Sequence, residues 1–143
     1  MKEALKEAKL AYEKGEVPIG CVIVSGGEII GRGHNVREEL RDPRAHGEMV
    51  AIGEAVAKMP SWRVEDATCY VTVEPCPMCM GAILNARIDR LVLGTGNDNF
   101  GAAGSVVDLP ALGAFQHHIQ VTKGVLEEEC RHLMQSFFRS LRK

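Results

Sequence analysis

The chain has 143 residues, of which 45% are apolar and 25% are charged, and these proportions predict one globular domain spanning residues 1–143. Its 17 Lys and Arg against 19 Asp and Glu give a formal net charge of −2 at pH 7. This charge argues against nonspecific binding to nucleic acid, which needs many phosphate contacts from Lys and Arg. No apolar run approaches the roughly 18–20 residues of a membrane span, so a membrane protein is not expected.

The first half of the chain alternates helical and β patterns. Apolar side chains at helical spacing predict a helix over residues 2–14. Two β-rich runs on either side of a Ser-Gly-Gly turn predict a hairpin over residues 20–31. Asp42 and Pro43 are typical of an N-cap and a first helical position, so we expect a helix to start there and to run to about residue 59.

The second half continues the alternation. A short β-rich run predicts a strand over residues 68–73, and the prolines that follow it suit a turn into a helix that ends near residue 86. Further strands are predicted over residues 91–94 and 119–122. The last helix has an apolar stripe at i, i+3, i+4, i+7, i+8 and i+11, formed by Cys130, Leu133, Met134, Phe137, Phe138 and Leu141. Interleaved helices and strands predict an α/β layer fold with helices on both faces of a sheet.

Cysteine usage indicates the compartment. The chain has five cysteines, an odd number, and two of them form the close pair Cys76-x-x-Cys79. The N-terminus is charged and helical in pattern, unlike a signal peptide. Both observations favour a reducing, cytoplasmic compartment in which the close pair binds a metal or takes part in redox chemistry.

Two short segments carry residue types that bind zinc. Cys76 and Cys79 are three residues apart at a predicted helix start, so both thiols can face one point, and the positive end of the helix dipole favours thiolates. His46 would be the third ligand. Three protein ligands leave the fourth tetrahedral position for water, which is the arrangement of a catalytic zinc site. Glu48 is predicted to move protons on that open side.

Other interpretations of the cysteine pair stay open. It could be half of a structural zinc site, which would need a second pair of ligands. It could also be a thioredoxin-like redox pair, since strand, Cys-x-x-Cys and helix form that motif too, although the His-x-Glu segment would then be unexplained. The remaining cysteines lie in predicted strands or on the apolar face of the last helix, and we expect them in the core: Cys21, Cys69 and Cys130.

The two segments also match a known signature. His46-Gly47-Glu48 and Pro75-Cys76-Pro77-Met78-Cys79 follow the zinc deaminase pattern of His-x-Glu and then Pro-Cys-x-x-Cys. Beyond the signature, the chain resembles bacterial tRNA-specific adenosine deaminases along nearly its full length. The segments that carry this resemblance are 15–20, 66–68, 70–76, 101–105, 124–130 and 137–139. Gly-Ala-Ala-Gly-Ser at 101–105 and Phe-Phe-Arg at 137–139 favour the tRNA branch over cytidine and guanine deaminases.

The resemblance implies a fold and an activity. The fold is a three-layer α/β/α cytidine deaminase-like fold, with a mixed five-stranded sheet and helices on both faces. The activity is zinc-dependent hydrolytic deamination of the wobble adenosine to inosine in an arginine tRNA, with release of ammonia. The resemblance further implies one Zn2+ per subunit, a homodimer and a tRNA anticodon loop as partner. An anticodon loop can present an unstacked base, which this chemistry requires.

The resemblance also suggests substrate contacts. Asn35 would hydrogen-bond the base edge, although an Asn at that place can also be a turn residue. Ile19 and Val73 would wall the base pocket. Three residues near the C-terminus would line an RNA groove: Phe137, Phe138 and Arg139. The helical stripe predicts that at least one of the two Phe rings packs in the core instead. All three belong to a basic C-terminal segment that is a candidate polynucleotide contact and that also suits a helix C-terminus: Arg131, Arg139, Arg142 and Lys143.

The chain departs from the family pattern at two places. Position 47 is Gly where relatives usually have Ala. The loop 94–100, expected beside the nucleotides that flank the target base, contains no Lys or Arg and has Asn97 where relatives often have an acidic residue. Asn97 is therefore a candidate substrate contact, and the loop supports an alternative function, deamination of a free purine base or nucleoside such as guanine. A noncatalytic zinc-stabilised or redox module is the third possibility.

Overall fold

A mixed five-stranded sheet forms the centre of the molecule. The computed structural model describes residues 1–142, so Lys143 of the predicted basic segment lies outside the described residues. The strands in chain order are β1 (Gly20–Ser25), β2 (Glu28–His34), β3 (Ala67–Val73), β4 (Arg90–Thr95) and β5 (Gln120–Thr122). Across the sheet their order is β2-β1-β3-β4-β5. Strand β1 is antiparallel to β2 and β3, whereas β3, β4 and β5 run parallel to one another.

Helices cover both faces of this sheet. They are α1 (Lys2–Glu13), α2 (Arg37–Leu40), α3 (Gly47–Val56), α4 (Pro77–Asn85) and α5 (Glu127–Leu141). On one face, helix α1 packs on β1 and β2, and α5 packs on β3 and β4; these two helices also contact each other. On the opposite face, α3 and α4 contact each other. The predicted three-layer α/β/α fold with a mixed five-stranded sheet is therefore confirmed. No helix within residues 1–142 is both long and apolar enough to cross a membrane.

The alternation of side chains along a strand explains how β1 serves both layers. Gly20 faces α1, where a Cβ would collide with the backbone of Ala4 and Ala8. The next residue, Cys21, is fully buried on the other face, in a core that includes Ala51 of α3 and Met80 of α4. Its Sγ lies 3.4 Å from the Sγ of buried Cys69 on the neighbouring strand. The predicted core positions of Cys21, Cys69 and Cys130 are confirmed, since all three are buried.

The predicted start of the third helix at Asp42 and Pro43 is wrong. Asp42 accepts the N–H of Arg44 at 2.8 Å and closes a turn after the short helix α2. Helix α3 begins at Gly47, with His46 as its N-cap, and ends at Val56 instead of near residue 59. The start is fixed by a tertiary contact, because the Gly47 N–H donates to Oδ1 of Asn35 at 2.8 Å. Local capping patterns cannot reveal an acceptor twelve residues away.

Candidate metal centre and substrate groove

The cysteine pair lies where β3 ends and α4 begins. Cys76 is the N-cap of α4 in an extended conformation, and Pro77 occupies the first helical position, where a missing N–H costs nothing. One helical turn later, Cys79 is buried on the same side. The helix start therefore presents both sulfur atoms toward the N-terminus of α3.

His46 reaches the same point from α3. As the N-cap of that helix, His46 has an extended backbone. The preceding residue, Ala45, accepts the N–H of Val36 at its carbonyl, at 3.0 Å. Its Nδ1 lies 3.4 Å from Sγ of Cys79 and 3.7 Å from Sγ of Cys76. All three ligand atoms are within 4.8 Å of one another, so these residues can hold a metal ion.

Glu48 completes the cluster without belonging to the ligand set. It lies in the first turn of α3, two residues after His46, and is only 3% exposed. Within residues 1–142, its Oε1 is buried and has no hydrogen-bond partner. Burial raises the pKa of Glu48 to about 7, with a further increase from the charge of Cys76. A carboxyl group of this pKa exchanges protons readily near neutral pH.

The two thiols differ in acidity. The hydrogen bond from Cys79 lowers the pKa of Cys76 to about 4, and a contact with His46 acts in the same direction against the effect of burial. The same hydrogen bond and burial raise the pKa of Cys79 well above its usual range. Cys76 is therefore the more acidic of the two thiols. Thiolates are the form of cysteine that binds metals.

Three of the predicted base contacts lie around this centre. Asn35 is 3% exposed, and because its Oδ1 accepts the N–H of Gly47, the NH2 group is the part of its side chain left for a ligand. The backbone N–H of Asn35 donates to the carbonyl of Ile19 at 3.2 Å, so the two residues are adjacent. Val73 is buried at the end of β3, three residues before Cys76.

A groove lies between the loop after β4 and helix α5. It consists of two adjoining cavities of about 460 and 620 Å³ that share Asn99, Met134 and Gln135 as walls. The first cavity is lined by Val73 and by Asn97, whose Oδ1 accepts the N–H groups of Asn99 and Phe100.

The C-terminal residues predicted to line the groove divide into two kinds. Phe138, 41% exposed, and Arg139 line the second cavity. Phe137 does not reach the groove, because it is buried and packs edge-to-face against Tyr12 at 5.6 Å between ring centroids. The apolar stripe of α5 places it on the core side of the helix. One of the two Phe rings thus belongs to the core.

Helix α5 and the residue that follows it, Arg142, carry guanidinium groups that the loop 94–100 lacks. Arg131 lines the first cavity, and Arg139 and Arg142 line the second. Arg131 is also bound to two carboxylates of its own helix, those of Glu127 at 2.8 Å and Glu128 at 2.5 Å. Three guanidinium groups therefore stand across the groove from a loop without Lys or Arg.

One structurally important residue was missed by the sequence analysis. Glu74 is 2% exposed although it carries a carboxylate, and it accepts hydrogen bonds from Asn97, Ala103 and Ser105 in the loop that borders the groove. Burial alone would raise its pKa, but the hydrogen bonds from Ser105, Ala103 and Asn97 hold the pKa below its usual value. The sequence signal that could have identified Glu74 is its position, a charged residue directly after an apolar strand and directly before the Pro-Cys motif.

Comparison with known proteins agrees with this geometry. Residues 1–142 match the family model of the MafB19-like deaminases. The tRNA-specific adenosine deaminase of Bacillus subtilis (strain 168) is 51% identical over 143 residues, which cover 100% of this chain and 89% of that protein. The tRNA-specific adenosine deaminase of Streptococcus pyogenes serotype M18 (strain MGAS8232) is 50% identical over 139 residues, 97% of this chain and 87% of its own length.

Solved structures give the same result. A structure from a study of A-to-I editing by tRNA:A34 deaminases at the wobble position of transfer RNA has a TM-score of 0.90 and 40% identity, and the match covers 93% of this chain and 96% of that one. The guanine deaminase from Nitrosomonas europaea has a TM-score of 0.79 over 95% of this chain and 81% of its own, but its 23% identity shows a common fold alone. The chain belongs to the family of tRNA-specific adenosine deaminases.

Proposed function

We propose that this protein is a zinc-dependent hydrolytic deaminase that converts the wobble adenosine of an arginine tRNA to inosine. The observation that carries the proposal is the cluster of His46, Cys76 and Cys79 beside the buried carboxylate of Glu48, in a chain 51% identical to a tRNA-specific adenosine deaminase. Such a donor set, with an unpartnered carboxylate oxygen next to it, suits a metal-assisted hydrolysis.

The spacing of the donor atoms fits zinc. Zn–S bonds of about 2.3 Å and Zn–N bonds of about 2.0–2.1 Å in a tetrahedron put N and S roughly 3.6 Å apart. The observed separations between Nδ1 of His46 and the two sulfur atoms are 3.4 and 3.7 Å. When bound, zinc supplies a Lewis acid that makes water a stronger nucleophile at neutral pH. One ion per subunit would be held by these three residues.

The residues around the metal centre would position the base. Asn35 offers its NH2 group as a donor to the base edge, with its orientation fixed by the bond from Gly47 to Oδ1. Ile19 and Val73 would contact the faces of the base as apolar walls. A base inside a stacked helix cannot enter such a pocket, so the target must be flipped out or lie in a loop.

Glu48 would move the protons of the reaction. Its carboxylate accepts a proton from the attacking water and delivers it to the ring nitrogen next to the carbon under attack. Glu48 would then move the proton of the newly added hydroxyl group to the exocyclic amine. The carbon–nitrogen bond breaks as that oxygen becomes the carbonyl of inosine, and ammonia leaves. The burial of Glu48 disfavours its charged form, which suits a side chain that serves in turn as base and as acid.

The remaining parts of the proposal concern partners and location. The groove lined by Asn97, Phe138 and Arg139 would hold the anticodon loop, with bases stacked on the exposed Phe ring and phosphates near the guanidinium groups. By family membership we also propose a homodimer, a cytoplasmic protein and a single catalytic domain over residues 1–143. Sedimentation equilibrium of the purified protein tests the subunit number directly.

Mass spectrometry of the reaction products separates the two candidate activities. Zinc-loaded protein is incubated with an arginine-tRNA anticodon stem-loop carrying adenosine at the wobble position, and in parallel with free adenosine, adenine, guanine and cytidine. We expect inosine in the stem-loop alone. Turnover of one free base or nucleoside, without product in the stem-loop, would replace this proposal by the free-purine alternative, which the Lys-free loop 94–100 supports.

A further inference from the structure

The carboxylate of Glu74 accepts several of the hydrogen bonds that hold the loop forming one wall of the groove. Its side chain, 2% exposed, receives the backbone N–H groups of Asn97 at 3.3 Å, Ala103 at 2.9 Å and Ser105 at 3.1 Å. The hydroxyl of Ser105 donates to the same carboxylate. One buried carboxylate thus binds four donors from residues 97–105, which satisfies the charge without a basic partner.

The loop is folded tightly onto this carboxylate. A Cβ at Gly101 would lie 2.6 Å from Cδ and Oε2 of Glu74 and 2.5 Å from the carbonyl oxygen of Asn97, so only glycine fits. Within the loop, the N–H of Gly101 donates to Asn97 and the N–H of Val106 donates to Gly101, each at 2.9 Å. These contacts make residues 97–106 one compact unit centred on Glu74.

The same residue connects this unit to the metal centre. Glu74 is two residues before Cys76, and the N–H of Ala102 donates to the carbonyl of Pro75 at 2.8 Å. The N–H of Glu74 itself donates to the carbonyl of Thr95, where the loop leaves β4. Side chain and backbone around Glu74 therefore tie the groove wall to the turn that carries a metal ligand.

We propose that Glu74 is a positioning residue that holds the 97–105 loop at a fixed place relative to Cys76, so that the nucleotides beside the target base meet a preformed wall. This inference rests on the proposed function, because it assigns the loop to substrate binding. It predicts that loss of the carboxylate weakens binding of a structured RNA substrate, whereas the metal ligands and Glu48 keep their arrangement.

The test combines Glu74→Gln with two readouts. Glutamine has nearly the same shape but brings an NH2 group where the loop supplies only donors, so the loop should loosen. We expect amide hydrogen exchange at Ala103 and Ser105 to become at least about tenfold faster. The KM for the stem-loop should rise roughly tenfold, while kcat changes less than about threefold and zinc content stays at one per subunit. Glu65→Gln, an exposed glutamate away from the groove, is the matched control and should match the wild type.

Two further variants keep the inference falsifiable. Glu74→Asp retains a carboxylate and should recover part of the KM effect. Ser105→Ala removes only the hydroxyl donor and should raise KM about threefold. This variant tests the role of Glu74 in holding the loop if Glu74→Gln does not fold. Unchanged loop exchange and KM, or a loss of zinc in proportion to the loss of activity, would overturn the role. If the wild type makes no inosine in the stem-loop, the proposed function fails, and the exchange data alone decide whether Glu74 holds the loop.

Discussion

The two ends of the Asn35 side chain have different roles, one observed and one proposed. Its Oδ1 accepts the first free amide of α3, that of Gly47, and thereby fixes the helix start that carries His46 and Glu48. Its NH2 group is the part that we propose to contact the base. The turn-residue interpretation and the substrate interpretation of Asn35 are thus compatible, since the capping contact orients the group proposed to touch the substrate.

Substitutions at Asn35 should separate these tasks. Asn35→Asp keeps an acceptor for the Gly47 N–H but lacks the amide donor, so we expect the cap of α3 to persist and kcat/KM to fall by roughly 10–100-fold. Asn35→Ala loses both groups and should also lower the free energy of unfolding by about 1 kcal/mol. Urea unfolding and stem-loop kinetics measure the two effects. Equally fast amide exchange of Gly47 in both variants would mean that capping does not depend on the Oδ1 acceptor.

Glu48 is expected to be essential for proton transfer and dispensable for metal binding. Glu48→Gln preserves the volume of the side chain but cannot take up a proton, so single-turnover inosine formation should fall by about 10²–10⁴-fold. Zinc content, measured by atomic absorption, should stay at the wild-type level. Glu54→Gln, on the exposed side of the same helix, serves as the control. Zinc loss in the Glu48 variant would instead mean that Glu48 helps to hold the metal.

At the scale of secondary-structure elements, the packing of α3 against β2 places the first half of the site. Gly31 and Gly33 of β2 have no side chains, so the backbone of α3 approaches the strand closely. A Cβ at Gly33 would lie 2.6 Å from the carbonyl oxygen of Gly47 and 2.8 Å from the backbone nitrogen of Ala51. His46 precedes this contact directly, so its place depends on the strand.

Alanine substitutions on the two elements should have opposite effects. Gly33→Ala has to push α3 away and should lower the free energy of unfolding by about 1–3 kcal/mol, together with activity. Gly53→Ala lies on the exposed side of α3 with nothing within 4 Å of the added Cβ, and it should be neutral or stabilising by up to about 1 kcal/mol. Chemical denaturation of both variants measures the difference. A stable, active Gly33 variant would show that the close approach is not required.

At the scale of the whole molecule, the candidate metal ligands come from two elements that are far apart in sequence. His46 precedes α3, whereas Cys76 and Cys79 start α4 after β3. A metal bound to all three would link these helix starts in the native state only. Metal binding should therefore add to global stability as well as to catalysis.

Metal removal tests this link. A chelator should lower the Tm of the zinc-loaded protein, because binding to the folded state stabilises it by about 2.7 kcal/mol when free metal is 100 times Kd. Differential scanning calorimetry with and without chelator gives the shift. The Cys79→Ser variant, with a weaker ligand set, should show a clearly smaller shift under the same conditions. Equal shifts in both proteins would place the stabilising metal at other residues.

Much of this architecture follows from local patterns. The stripe in residues 130–141 predicted α5, and the prolines after β3 predicted the turn into α4, because periodicity and missing N–H groups act within a few residues. The ligand types and their spacing likewise identified His46, Cys76 and Cys79 as a possible metal cluster. A tetrahedral ion demands particular donors, and these donors are visible in the sequence.

The tertiary structure decided what depends on contacts between distant segments. It moved the start of α3 from Asp42 to Gly47, because the capping oxygen comes from Asn35. It buried Phe137 against Tyr12 and left Phe138 in the groove. It also set two arginines of α5, and Arg142 after the helix, in a groove whose other wall is a loop without basic residues. It also made Glu74 the centre of that loop. The sequence by itself determined the chemistry of the donors, whereas their partners across space depended on chain packing, which local patterns do not encode.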